Sequence, residues 1–314
     1  MTLTEIAALR KPGRTVTGMA AVLVPFEEDG SVAADAYQAC LAETFGAGLT
    51  PAVNMDTGYV NLLADSGKAY ILGLASEVAM GRPFVAGAFI EGEVGEVVDL
   101  YRREMDRIVR HGGTPILFQT SRTHGLPPAE KAAVYANAAK GFQNVYAFEL
   151  GRMFAPNGEI WDAETFERIL GIPEIAGAKH SSLDRLVELD RLAIRDRVRP
   201  DFKVFTGNDL GIDMIEYGSD YLLGLAAFSP AKFAKRDRLW AAGDPDYLAL
   251  ADALQFLGNV AFRPPVPAYK HSAATFLHLL GKIPTDRTHP HSPARPPWEA
   301  EMLRACAERL GLLD

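Results

Sequence analysis

Ile175-Ala-Gly-Ala-Lys179-His-Ser-Ser-Leu-Asp-Arg185 reads as a short strand of small residues that ends on a lysine and turns into a helix. Alternate side chains of a pleated strand share a face, so Ile175, Gly177 and Lys179 point one way and His180 the other. Gly177 leaves space beneath the ammonium, and Ser181 and Ser182 are placed to cap a helix from Leu183. A lysine at the rim of an apolar interior is desolvated, which lowers its pKa. A neutral amine there can attack a carbonyl and form a Schiff base. The competing reading is a lysine that snorkels to solvent from a strand end.

Working outward, strand-like and helix-like segments alternate along the chain. Apolar runs at 18–24, 49–53, 83–88, 114–118 and 145–148 precede the lysine strand, and 203–206 and 221–225 follow it. Helical patterns at 33–45, 66–80, 94–110, 129–140, 163–170, 183–195 and 210–217 lie between them. Strands buried on both faces and joined through helices imply a parallel sheet. Eight such units fit an α/β fold of the closed (β/α)8 TIM barrel type better than an open doubly wound sheet. No Gly-x-Gly-x-x-Gly follows the first strand, which weakens a dinucleotide-binding reading. After Ser229-Pro230 only helical patterns remain, at 247–259, 268–280 and 298–312, with Pro-rich joints between them. The expected division is a barrel over residues 1–230 and a C-terminal helical appendage over 231–314.

Composition narrows the function. Of the 314 residues, 48% are hydrophobic and 23% charged, enough for a large core. A net charge of −8 argues against nucleic acid as a partner. Cys40 and Cys306 lie far apart within helical patterns, so neither a disulfide framework nor a zinc spacing is present. The N-terminal stretch has no secretory pattern, and no apolar run approaches a membrane span. A cytoplasmic protein with no membrane partner is the expectation.

The lysine strand, with Ile-Ala-Gly-Ala-Lys-His-Ser-Ser around Lys179, resembles the dihydrodipicolinate synthase / N-acetylneuraminate lyase family of Schiff-base class I aldolases and lyases. Val24-Pro-Phe before Asp29-Gly30 is similar to the family's first strand and turn. Val204-Phe-Thr-Gly-Asn-Asp209 resembles its seventh strand, and Pro265-Val-Pro-Ala-Tyr-Lys270 with His278-Leu-Leu-Gly281 its C-terminal helices. The likeness runs from about Thr17 onward. It implies an aldolase or dehydratase that works through an imine on Lys179, needs no metal and no cofactor, takes a small-molecule carbonyl substrate, and forms a homo-oligomer.

The chain departs from the family pattern in two places. Where the family carries Gly-Thr-Thr-Gly-Glu to bind a 2-oxo acid carboxylate, this chain has Met55-Asp56-Thr57-Gly58-Tyr59. Thr57 and Gly58 remain, but Asp56 would repel a bound carboxylate. Two readings of Asp56 stand: it accepts hydrogen bonds from substrate hydroxyls, or it caps the turn. The family's proton-relaying tyrosine falls on Phe148, a ring that carries no proton. Tyr146, one step deeper, and Glu149, at the strand end, are the candidate replacements. Arg152 is near where some members hold an arginine for a second carboxylate, and is otherwise a surface ion-pair residue. Gly207 permits close approach to a ligand, while Asn208 either contacts substrate or caps the next helix.

The leading expectation is therefore a lyase acting through Lys179 on a small oxygenated carbonyl compound, possibly sugar-derived, with Glu149 and Tyr146 as proton-transfer groups. Asp56, Thr57, Gly58, Arg152, Gly207 and Asn208 are the expected substrate-binding residues. Two alternatives remain open: a non-catalytic ligand sensor of the same fold, and a metal-dependent barrel hydrolase or aldolase.

Overall fold

In the computed structural model, which describes residues 2–313, eight parallel strands close into a barrel in sequence order. They are β1 (Gly18–Ala21), β2 (Thr50–Val53), β3 (Phe84–Ala88), β4 (Gly113–Leu117), β5 (Val145–Leu150), β6 (Ile175–Ser181), β7 (Lys203–Thr206) and β8 (Asp220–Leu223). A short helix α1 (Leu3–Ala8) precedes the barrel. The ring outside the strands holds α2 (Ala34–Gly46), α3 (Asp65–Ala79), α4 (Val97–Arg110), α5 (Pro128–Ala139), α6 (Ala163–Leu170), α7 (Arg185–Val198) and α8 (Pro230–Ala242). Between β7 and β8 the crossover is a 3-10 turn, Ile212–Tyr217, where the sequence pattern suggested a helix from 210.

The helix α8 packs against α2 and β1 and so completes the ring. The remaining helices α9 (Asp246–Ala261), α10 (Tyr269–Leu279) and α11 (Glu299–Arg309) pack on one another beyond it. Buried Glu299 ties them together: it accepts from Ser272 Oγ and from Arg263, both at 2.5 Å, and Arg295 donates to the carbonyls of Ala261 and Arg263. A carboxylate and two guanidinium groups this close to apolar packing are tolerable only because nearly every polar atom has a partner.

Strand alternation divides the side chains into an inner and an outer set. On the inside, Phe89, Phe118 and Phe148 pack edge to face, with centroids 5.6 and 4.8 Å apart. Tyr146 and Phe205 make a similar pair, 5.1 Å apart, one layer toward the strands' amino ends. These wide rings need small residues opposite them. A Cβ on Gly87 of β3 would run into the carbonyl of Asn54 and come within 2.6 Å of Phe118.

Glycine is expected to be required at that position. Gly87→Ala should lower unfolding free energy by about 1–3 kcal/mol through overpacking. Gly73→Ala on α3, which meets nothing within 4 Å, should leave it unchanged or raise it by about 0.5–1 kcal/mol. Urea unfolding of the two variants distinguishes a packed barrel interior from a tolerant one.

Candidate active site

Lys179 lies near the end of β6 and is 8% exposed. Its register partners are Phe148 on β5 and Phe205 on β7. The ammonium sits 4.4 Å from the centroid of the Phe148 ring, where the family pattern would have a tyrosine. The room for its stem comes from Gly207, directly after β7: a Cβ there would be 2.5 Å from Lys179 Cε and would strike Ser181 Oγ. This corrects the role expected of Gly177. Beside Gly177 lie Lys203 and Phe205, not the reactive amine.

Three sets of groups meet around this amine. From the turn after β2 come Asp56 and Thr57, both buried. From the start of α10 come Tyr269 and Lys270: Lys270 Nζ donates to Asp56 Oδ2 at 2.9 Å, and Tyr269 Oη donates to the same oxygen at 2.9 Å. Tyr269 Oη also lies 2.8 Å from Thr57 Oγ1. The third set is Asp209, after β7, whose Oδ1 accepts from the Leu225 amide at 2.8 Å. Burial lowers the pKa of Lys179, and the carboxylates of Asp209 and Asp56 pull it partly back up. Burial likewise raises the pKa of Asp209, against the Leu225 amide and Lys179, which lower it. The mouth thus holds an amine that loses its proton more readily than an ordinary lysine, and a carboxyl that keeps its proton more readily than an ordinary aspartate.

Asp56 is therefore not the free anion that the sequence suggested. It is half of an ion pair with Lys270, so the repulsion expected toward a substrate carboxylate is offset by a cation 2.9 Å away. Nothing in the turn after β2 signals this, because the partner lies 214 positions along the chain. The Tyr269-Lys270 dipeptide was legible only as part of a helix-forming segment.

Several other expected site residues lie elsewhere. Glu149 pairs in register with His180, one step past Lys179, and so faces the helices rather than the mouth. There it accepts from Arg191 Nε and Nη2 at 2.9 and 3.1 Å and from the Trp161 amide at 2.8 Å, and meets His180 Nδ1 at 2.6 Å. Burial alone would raise its pKa toward the neutral range of a proton relay. His180 and Arg191 outweigh burial and hold it at about 2. Glu149 thus anchors the outer face of the strand and does not reach the mouth, where a proton-transfer group would stand. Tyr146 pairs with Gly177, two residues and roughly 7 Å below Lys179. Its ring packs on Phe205, and its pKa is raised by burial and by Asp220, a residue at the amino end of β8. Phe148 lies on the Lys179 side of it.

Asn208 is also committed to the fold: it donates to Glu188 of α7 and accepts from the Leu183 amide at 2.7 Å. Arg152 is exposed and has no ion pair or hydrogen bond among the described residues. Thr57 and Gly58 lie in the 3-10 turn Asp56–Gly58 at the mouth, and Gly207 adjoins the lysine. The serines expected to cap the next helix do not. The strand runs through Ser181, Ser182 binds His180, and Asp184 caps α7 through the Leu186 and Val187 amides.

A metal centre finds little support in the donors. Asp65, Glu93 and Glu104 bring one carboxylate oxygen each within 4.8 Å of the others. All three are already paired with Lys68, Arg103 or Arg107, so little net charge is left to hold a cation. His289 packs its ring near Phe26 and Tyr59 rather than joining a ligand set.

Glu149→Gln should leave Arg191 buried without its counter-charge and cost about 3–5 kcal/mol of stability. The sign of the pH effect follows from a lowered folded pKa. The stabilisation from Glu149 is complete above the ordinary carboxyl value of 4.5 and is lost as pH falls toward about 2. Unfolding free energy measured from pH 6 to pH 3 should fall more steeply for the wild type than for Glu149→Gln.

The chain matches no protein-family model, and no curated protein sequence matches it. Solved structures do. A dihydrodipicolinate synthase from Thermotoga maritima superposes with a TM-score of 0.81 at 16% identity, covering 95% of this chain and 99% of that one. The synthase from Acinetobacter baumannii, in complex with pyruvate, gives 0.79 at 17% identity over 96% and 100% of the two chains. A prophage protein of the same family from E. coli, also in complex with pyruvate, gives 0.80 at 14% identity over 95% and 99%. At these identities the likeness establishes the fold: the chain is a (β/α)8 barrel with C-terminal helices, built as the dihydrodipicolinate synthases are.

Proposed function

We propose that the protein is a Schiff-base-forming lyase that acts through Lys179 on a small oxygenated carbonyl compound. The observation that carries the reading is a lysine buried near the carboxyl end of a barrel strand, over an aromatic ring and without an ion-pair partner among the described residues. An ordinary lysine is almost wholly protonated at neutral pH and is no nucleophile. Burial removes the solvation that favours its charged form, so a larger share is neutral amine. That amine adds to a ketone or aldehyde carbon, and the carbinolamine loses water. The resulting iminium withdraws electrons from the neighbouring bond and permits cleavage or elimination there.

The Asp56–Lys270 pair, with Thr57 and Tyr269, forms the substrate-orienting side. As a neutral pair it offers a hydroxyl-bearing substrate both a carboxylate acceptor and an ammonium donor. A substrate carboxylate would instead have to compete with Asp56 for Lys270. Hydroxylated ketones fit this arrangement better than pyruvate, the ligand held by two of the structurally similar proteins.

Borohydride trapping with intact-mass detection tests the reading. Hydroxyacetone or dihydroxyacetone should add a reduced mass on the peptide holding Lys179, and Lys179→Ala should abolish labelling without unfolding the protein. Labelling retained in that variant, or found at Lys270, overturns the assignment. The trapping rate should rise with pH and level off below the ordinary lysine value of 10.5, because burial lowers the pKa. Asp56→Thr should release Lys270 for a substrate carboxylate and raise pyruvate trapping relative to hydroxyacetone by about tenfold, roughly 1.4 kcal/mol. Lys270→Met should shift that ratio the other way.

A further inference from the structure

An imine on Lys179 needs a partner that takes a proton from the neighbouring carbon or hydroxyl and returns it. The ring that stands over the amine, Phe148, cannot do this; Glu149 faces the helices, and Tyr146 lies one layer deeper, with Phe148 on the Lys179 side of it. From the geometry of the mouth we infer that Asp209 is the general acid–base group of this site, resting on the Schiff-base reading above.

Asp209 follows β7 by three residues, and Gly207 in between abuts the stem of Lys179 so closely that no Cβ would fit. The Asp209 carbonyl is held by Gln255 Nε2 at 3.2 Å and pressed against Gly258 of α9, where a Cβ would come within 2.5 Å of it. Its side chain is fixed at one oxygen only: Oδ1 accepts from the Leu225 amide, while Oδ2 has no hydrogen-bond partner among the described residues. A Cβ on Gly224, next to Leu225, would lie 3.2 Å from Thr57 Oγ1 and 3.0 Å from the Tyr269 ring, so the same corner joins the carboxyl to the substrate-orienting side. Lys179 and Asp209 influence each other electrostatically yet form no ion pair among the described residues.

In the step proposed, the Asp209 carboxylate removes a proton from the carbon next to the iminium carbon. The C–H electron pair becomes the enamine double bond, and the C=N pair returns to nitrogen as a lone pair. The reverse step delivers the proton from Asp209 and regenerates the iminium. A carboxyl whose pKa is raised by burial holds its proton less loosely than an ordinary aspartate and so is suited to both directions. The charged and titratable groups facing it are Lys179 from β6, Asp56 from the turn after β2, paired with Lys270, and Tyr269 from α10.

The test compares wild type, Asp209→Asn and Lys179→Ala with hydroxyacetone and pyruvate as probes. Two readouts are taken: borohydride trapping by intact mass, and exchange of probe C–H for deuterium in D2O by NMR. Asparagine keeps an acceptor for the Leu225 amide, so the fold should persist. Loss of the carboxylate removes a charge that raises the Lys179 pKa, so Asp209→Asn should trap the probes at neutral pH as fast as wild type or faster. Exchange should fall about 100-fold or more, and its rise with pH in the neutral range should vanish. A variant that traps and exchanges like wild type, or loses both in proportion, overturns the role of Asp209 and leaves the imine on Lys179 standing. Wild-type protein that traps neither probe overturns the Schiff-base reading and this inference with it.

Discussion

The site depends on one pair of neighbours that face opposite ways: Lys179 inward and His180 outward. The outward residue is locked. His180 is held between Glu149 and Ser182, Glu149 is gripped by Arg191 from α7, and the Trp161 amide closes the set. A strand fixed on its outer face cannot slip by one residue without moving every inner side chain to the other side. The direction of the lysine is therefore set behind the barrel wall, by charges that never meet the substrate. Glu188, three residues before Arg191 on α7, does the same for β7 through Thr206, Asn208 and Ser219.

Charge at the mouth is balanced in the same economical way. Two lysines, Lys179 and Lys270, are buried at the mouth with two aspartates, Asp56 and Asp209. Of these four, only Asp56 and Lys270 form a close pair among the described residues. Were the pairing reversed, Lys179 would be held charged and useless as a nucleophile. Which of the four groups pair follows from where their stems originate. Lys270 arrives from the C-terminal helices directly over the turn after β2, whereas Lys179 rises between Phe148 and Gly207.

What the sequence made legible is largely periodic. Eight apolar runs separated by helical patterns suffice for the barrel, and strand alternation places Lys179 inside and His180 outside without coordinates. Glu149 was misread because only the end of its strand was considered. Its parity against Phe148, one residue earlier, already put it on the outer face. The partners of Asp56, by contrast, had no local signature. An ion pair spanning more than two hundred residues becomes visible only when the C-terminal helices are folded back over the mouth. Asp209 was legible as a polar residue at a strand end and nothing more, since its character comes from burial against Leu225 and α9 rather than from its neighbours in sequence.

The dependence of the mouth on Tyr269 and Lys270 bears on how the protein is made. Residues 18–223 contain every barrel strand, yet in that span Asp56 has no counter-ion and the substrate-orienting side lacks its ammonium and phenol. A chain still emerging from the ribosome would carry Lys179 long before the groups that organise its surroundings. Ordering of the mouth is thereby deferred until α10 has been made and docks. Docking of α10 and organisation of the mouth are in this way a single event.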